Sequence, residues 1–249
     1  MSLCADCVKG VIHDGTPEGK LEVIDGVQCY IATPTCEYAK DKVLLYFTDA
    51  FGIPLVNNRL LADAFARNGF KTVIMDYHRG GSIPVGTMHR PSQGFDMDGW
   101  LANHTKADCR PPIDRVVAAL KAEGVTKFGA TGYCMGGYYV VQLALDNVIC
   151  AGSAHHPSFL DVPGDLEKYA ATSKAALLIN SCETDWQFGP DAQAKADEIF
   201  ANFEPGYKRE YFVGCDHGFA VRGDVNVPII KAGKEGAFKA TVEWMRKYL

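Results

Sequence analysis

The run Thr131-Gly132-Tyr133-Cys134-Met135-Gly136-Gly137 sets a cysteine at the centre of a Gly-x-Cys-x-Gly pattern. An apolar, strand-like stretch (Val125 to Ala130) precedes it and a helix-like stretch (Tyr138 to Leu145) follows. That is the setting of a nucleophile elbow. There a sharp strand-to-helix turn presents the nucleophile, and small flanking residues let neighbouring chain approach. Cysteine stands here where serine is usual. The helix N-terminus behind Cys134 favours thiolate, the reactive form. Glycines around a buried cysteine also occur in ordinary tight turns, so the motif needs partners elsewhere in the chain.

Two partners follow in the right order. Asp185, in Ser181-Cys182-Glu183-Thr184-Asp185, lies just past an apolar strand read at 175–180. His217, in Gly214-Cys215-Asp216-His217-Gly218, lies just past a strand read at 207–213. Ligands of parallel α/β sheets bind at the carboxyl ends of strands, and the order nucleophile, acid, histidine is that of α/β hydrolases. Cys134 would attack a carbonyl carbon and His217 would hold or take the thiol proton. Asp185 would fix the imidazole tautomer and steady the imidazolium. Glu183 and Asp216 are rival acids. His155-His156, after a strand at 148–154, either lines the same cleft or is structural, with the structural role favoured.

The elements that must position these groups alternate between strand and helix. Leu21–Asp25 and Val27–Ala32 read as a hairpin around Asp25-Gly26, a strong turn dipeptide. Val43–Thr48 is a continuous apolar run, as expected of a strand buried on both faces of a parallel sheet. A helix carrying Leu60, Leu61, Ala64 and Phe65 closes at Asn68-Gly69, and Lys71–Met75 is the next strand. A further helix is expected to start after Pro111-Pro112, with Ile113, Val116, Val117 and Leu120 on one face. Helices at 191–203 and around Phe238, Val242 and Met245 complete the pattern. Residues 79–109 read either as a lid or binding loop, or as hiding a helix near 98–104. The alternation implies a mostly parallel sheet flanked by helices. With no repeat or linker, residues 1–249 are expected to form one domain.

Composition narrows the function classes. Hydrophobic residues are 47% and charged residues 22%, an ordinary globular balance with a core to bury. A net charge of −5 without a basic patch argues against nucleic acid as partner. No apolar run approaches the roughly 18 residues of a membrane span, and residues 1–20 lack a signal-peptide core, so a cytoplasmic protein is expected. The nine cysteines should then be reduced thiols. Cys29, Cys150 and Cys182 are expected as small core hydrophobes. Cys4 and Cys7 form a CxxC, but no second ligand pair lies at zinc spacing, so no metal site is expected.

Four segments carry a family likeness. They are Thr48-Asp49-Ala50-Phe51-Gly52, Asp76-Tyr77-His78-Arg79, the Gly132–Gly137 elbow with Tyr before Cys, and His217-Gly218-Phe219-Ala220. Over roughly residues 25 to 249 the chain resembles the dienelactone hydrolases (carboxymethylenebutenolidases), in a branch with divergent fungal members. The resemblance implies an α/β-hydrolase fold, a Cys134-His217-Asp185 triad, and an oxyanion hole from the backbone N–H groups of Met135 and Ala50. It implies a substrate carboxylate held by arginines, with Arg79 at one matching position and Arg222 about one residue from the other. Asp49, Phe51 and Tyr133 are expected to line the substrate site. The bacterial enzymes carry Glu where Asp49 stands, a carboxylate that helps make the thiolate; with the shorter side chain, either Asp49 serves the loop instead or the thiol is activated through His217 alone. The expected activity is cofactor-free hydrolysis of a small-molecule lactone or activated ester through a thioester. Rival readings are a broader carboxylesterase or polyketide-pathway hydrolase, and a non-catalytic binding or thiol-sensing protein. The oligomeric state is not readable from the sequence.

Overall fold

The computed structural model describes residues 9–89 and 95–249, so Cys4 and Cys7 lie outside the described residues. Strands β1 (Lys20–Ile24) and β2 (Val27–Ala32) form the expected hairpin. Its two-residue turn needs positive φ at both positions, and Asp25 (44°) and Gly26 (73°) supply it. Then come β3 (Lys42–Phe47), helix α1 (Val56–Arg67) and β4 (Thr72–Met75). Past α2 (Met97–Asn103) and α3 (Lys106–Ala122) lie β5 (Lys127–Tyr133), α4 (Met135–Leu145), β6 (Ala151–His155) and α5 (Gly164–Thr172). The chain closes with β7 (Ala176–Thr184), α6 (Pro190–Ile199), β8 (Tyr207–Asp216), α7 (Phe219–Arg222) and α8 (Pro228–Tyr248).

One eight-stranded sheet results, in the order β1-β2-β4-β3-β5-β6-β7-β8. Only the pairs β1/β2 and β2/β4 are antiparallel; β4 through β8 run parallel. Parallel strands have helices over both faces, so their residues are apolar without alternation. Five of the six residues of β3 are buried accordingly. Because β5, β6, β7 and β8 are adjacent and parallel, their carboxyl ends bring residues 133–134, 155–158, 184–185 and 216–217 to one edge of the sheet. Among the described residues no helix is long and apolar enough to cross a membrane.

The sequence reading needs several corrections. Helix α3 starts at Lys106 rather than after the prolines, which lie inside it. Thr105 and Asp108 form a reciprocal capping box, and Cys109, Ile113, Val116, Val117 and Leu120 bury one face. A well-capped start and that apolar stripe outweigh the bias against helix before proline. The 79–109 segment contains α2, capped by Asp96, and a 3-10 turn at Val85–His89, so the helical alternative is the better one. Helix α5 has no counterpart in the reading, β7 extends four residues past the expected strand, and α4 begins at Met135 rather than Tyr138. Cys29 and Cys182 are fully buried as expected; Cys150 is half-buried, its thiol donating to Phe128 and Tyr248 carbonyls.

Candidate active site

The elbow is built by close backbone contact. A Cβ on Gly132 would strike the Gly136 carbonyl, and one on Gly136 would strike the carbonyls of Phe47 and Thr48. Glycine at both positions lets β5, α4 and the end of β3 meet. Between them Cys134 adopts φ 54°, ψ −121°, a conformation non-glycine residues hold only under constraint. Cys134 is fully buried. It is the N-cap of α4, whose dipole favours negative charge there.

Strand β7 carries Asp185 to the same edge. Its Oδ1 accepts the N–H groups of Gln187 (2.9 Å) and Phe188 (3.1 Å), which fixes the carboxylate plane. Its Oδ2 accepts the His217 Nδ1–H at 3.0 Å. That leaves the opposite ring nitrogen for Cys134, with which the His217 side chain is also hydrogen-bonded. Burial disfavours the imidazolium, but the charge of Cys134 and the bond to Asp185 more than offset it, and the His217 pKa rises to about 10. The structure thus brings the three predicted residues into one chain of contacts. Glu183 and Asp216, the rival acids, are exposed, and Glu183 accepts the Gly214 N–H at 2.6 Å instead.

The two expected oxyanion donors lie at the start of α4 and just past β3. Met135 opens α4, where helix geometry leaves its N–H without an intrahelical acceptor. Ala50 follows β3, its carbonyl occupied by the Ile83 N–H at 2.8 Å. Neither amide N–H makes another hydrogen bond among the described residues.

The predicted substrate residues divide. Arg222 is buried and ion-paired to Asp49 Oδ2, while its Nε donates to the Lys9 carbonyl at 2.7 Å. Its guanidinium lies 5.3 Å from the Phe51 ring centre. Asp49 Oδ1 accepts from Asn58 Nδ2 (3.1 Å) and Phe51 N–H (3.3 Å), so both its oxygens are engaged in holding the loop. A cavity of about 270 Å³ touches both His217 and Arg222, walled by Lys9, Gly10 and Val11. Arg79 is elsewhere. It is exposed, its Nη2 donates to the Asn103 carbonyl at 2.7 Å, and it lines a separate cavity of about 580 Å³ with Asp76, Asp108 and Arg115. The structure does not bring the two arginines together: Arg79 is exposed and Arg222 is paired to Asp49. Tyr133 is also removed from the thiol side, its ring stacked between Tyr46 (4.9 Å) and His155 (4.2 Å).

The histidine pair after β6 splits by role. His155 Nε2 meets the hydroxyls of Thr131, Ser153 and Thr241, each at 3.2 Å, a structural hub. His156 turns toward the site, its ring 4.8 Å from that of His217 and edge-on to it. Burial, then the charges of His217 and His155, hold His156 well below the ordinary imidazole pKa, so it stays neutral. Among the described residues neither of its ring nitrogens has a hydrogen-bond partner. Ser158, absent from the sequence reading, places its Oγ 3.4 Å from Cys134 Sγ. Its signal was available: polar residues immediately past a parallel strand's carboxyl end lie where ligands bind.

Comparison with known proteins shows the family. The profile of the dienelactone hydrolase family matches residues 27–249. "Dienlactone hydrolase 1" of Gibberella moniliformis is 33% identical over 250 residues, covering 98% of this chain and 93% of that protein. "Hydrolase pyvD" of Aspergillus violaceofuscus is 31% identical over 244 residues, covering 98% and 96%. The crystal structure of a putative dienelactone hydrolase from Klebsiella pneumoniae superposes with a TM-score of 0.72 at 16% identity, covering 92% of this chain and 98% of its own. The chain belongs to the dienelactone hydrolase family and is a hydrolase of carboxylic ester bonds.

Proposed function

We propose that the chain hydrolyses lactones or activated esters through a Cys134-His217-Asp185 triad and a thioester acyl-enzyme. The observation that carries the reading is the buried run of contacts Asp185–His217–Cys134 at adjacent strand ends, with Cys134 at positive φ. His217 holds the thiol proton, and the Cys134 sulfur attacks the substrate carbonyl carbon. The resulting oxyanion lies against the Met135 and Ala50 N–H groups, donors of a kind that commonly contribute about 3–4 kcal/mol each to the transition state. Collapse expels the alkoxide or enolate, which takes the proton from His217. Neutral His217 then removes a proton from water, whose oxygen attacks the thioester; the thiolate leaves and the acid is released. Asp185 keeps the Nδ1–H tautomer throughout. An enolate or similar good leaving group suits a thiolate nucleophile, because an acyl-thiolate adduct otherwise expels sulfur first.

The position of Arg79 favours a second reading within the same chemistry, a broader carboxylesterase for neutral substrates, since that guanidinium lies in a cavity away from Cys134. The nucleophile is tested by rapid mixing with an activated aryl acetate, acid quench and intact-mass measurement. A one-acetyl adduct is expected on the wild-type protein and none on Cys134→Ala, which should also lose hydrolysis while keeping its melting temperature. Substantial activity in the alanine variant would sink the reading.

A further inference from the structure

The loop from β6 to α5 is clamped onto the elbow at two points. The Cys134 N–H donates to the His155 carbonyl at 3.1 Å, and the Ser158 N–H donates to the Cys134 carbonyl at 3.0 Å. Between and just beyond these bonds the backbone takes positive φ at His156 (36°) and Phe159 (67°). Non-glycine residues keep such angles where the surroundings over-determine them, and strain of this kind gathers at functional sites. Its consequence here is specific. Ser158 is fully buried, with its Oγ 3.4 Å from Cys134 Sγ, and that hydroxyl makes no other hydrogen bond among the described residues.

The direction of this bond follows from the protonation of its partner. A thiol could donate to Oγ, but a sulfur whose proton is on His217 can only accept. We propose that Ser158 is a further catalytic-site residue, its hydroxyl donating to the Cys134 thiolate as a second donor beside His217. The inference rests on Cys134 being the nucleophile. In the acylation step the sulfur's lone pair becomes the S–C bond, and the Ser158 O–H turns away without losing its proton. When the tetrahedral adduct of water and thioester collapses, the S–C electron pair returns to sulfur and the hydroxyl again donates to it. A hydroxyl placed this way lowers the basicity of the thiolate. Nucleophilicity falls only by a fractional power of basicity, with β about 0.4–0.5. On the acid side, where the thiol would otherwise keep its proton, the larger thiolate population outweighs that loss, and the sulfur becomes a better leaving group in deacylation.

The test is a thiolate titration read by ultraviolet absorbance. Each protein is measured as a difference from its own Cys134→Ala counterpart, so the other cysteines cancel. Hydrogen bonds to charged groups commonly change an equilibrium by roughly ten- to a hundred-fold. Ser158→Ala is therefore expected to raise the Cys134 midpoint by about one pH unit or more, with melting temperature preserved and the acid limb of kcat/KM moving by the same amount. Ser158→Thr, which keeps the hydroxyl, should leave the midpoint near the wild-type value. A Ser158→Ala midpoint within about 0.2 unit of wild type overturns the inference; so does a rate that falls equally at every pH, which is the mark of a structural role. If the wild-type protein shows no Cys134-dependent thiolate at all, the nucleophile assignment itself fails, and that result is distinct from a normal titration insensitive to Ser158.

Discussion

Replacing Asp185 by Asn isolates the role of the proposed third triad member, because the loop around it dictates how the new amide must sit. The carboxylate Oδ1 accepts two backbone N–H groups, from Gln187 and Phe188, at 2.9 and 3.1 Å. Asn must keep its carbonyl oxygen there; turning the amide round would face NH₂ against two buried donors, at about 1–3 kcal/mol for each one left unpaired. The NH₂ group then faces His217 Nδ1, 3.0 Å from the position of Oδ2. That nitrogen can only accept, so the ring proton is forced to the nitrogen facing Cys134. In this tautomer His217 cannot take the thiol proton, and the thiolate loses its counter-ion. By analogy with the same substitution in serine triads, kcat should fall about 10³–10⁴-fold, which corresponds to roughly 4–5.5 kcal/mol of barrier. Initial rates with an activated aryl ester, together with a thermal melt, measure both sides of the argument. Glu183→Gln and Asp216→Asn serve as controls; both carboxylates are exposed, and changes within about threefold are expected. A loss below about tenfold in Asp185→Asn at unchanged melting temperature would refute the tautomer argument.

Two further outcomes follow from the buried charges. Burial pushes the imidazoles of His78 and His155 down to about 3, so the unfolded chain binds their protons below about pH 6.5 and the fold does not until about 3. Each therefore removes up to ~1.4 kcal/mol of stability per pH unit as pH falls through that window; urea midpoints should drop from pH 7 to pH 5, and less steeply in His155→Gln. Around neutrality the Cys134–His217 pair should add little slope, because one shared proton is carried in both the folded and unfolded states. For the arginines, Arg79→Ala should change kcat/KM by the same small factor for carboxylated and neutral esters, whereas Arg222→Met removes the direct ion-pair partner of buried Asp49 and should destabilise by up to about 3–5 kcal/mol in urea unfolding. A selective loss on carboxylated substrate in Arg79→Ala would restore that residue to the site.

What the sequence made legible is what local physics controls. Periodicity announced β3, α1 and β5, and the glycine spacing announced the elbow, because a backbone-to-backbone contact admits no substitute for glycine. Asp185 and His217 were readable since parallel strands deliver their following residues to one edge. The start of α3 was not, because proline punctuation is the louder signal and the capping box at Thr105 and Asp108 the quieter one. Side-chain direction was less legible still. Nothing in the string distinguishes His155, whose Nε2 meets three hydroxyls, from His156 beside His217; only the strand register and the positive φ at His156 separate them. Arg79 failed for the same reason: it too has positive φ, at 58°, and the guanidinium leaves the sheet edge for the carbonyl at the end of α2.

That departure alters the electrostatics any substrate meets. With the thiol proton on His217, the negative groups gathered at the sheet edge are Cys134, Asp185 and Asp49, against the positive His217 and Arg222 and the nearby buried Lys234, whose pKa burial lowers to about 7. One negative charge is left over when Lys234 is neutral and none when it is protonated, in a region largely removed from water, where Coulomb interactions are stronger than in bulk solvent. A neutral ester enters without adding to it. A carboxylated substrate adds a second negative charge, and the guanidinium bordering the cavity beside His217 is already held by Asp49. Relief would require Arg222 to exchange one buried carboxylate for another. Such an exchange is nearly neutral in charge pairing but leaves Asp49 with only the Asn58 and Phe51 donors. If the proposed site is the reacting one, neutral activated esters should be preferred over carboxylated ones above about pH 7, where Lys234 loses its proton, and a kcat/KM ratio for the two substrates that does not change from about pH 6 to about pH 8 would refute this reading of the Asp49, Arg222 and Lys234 cluster.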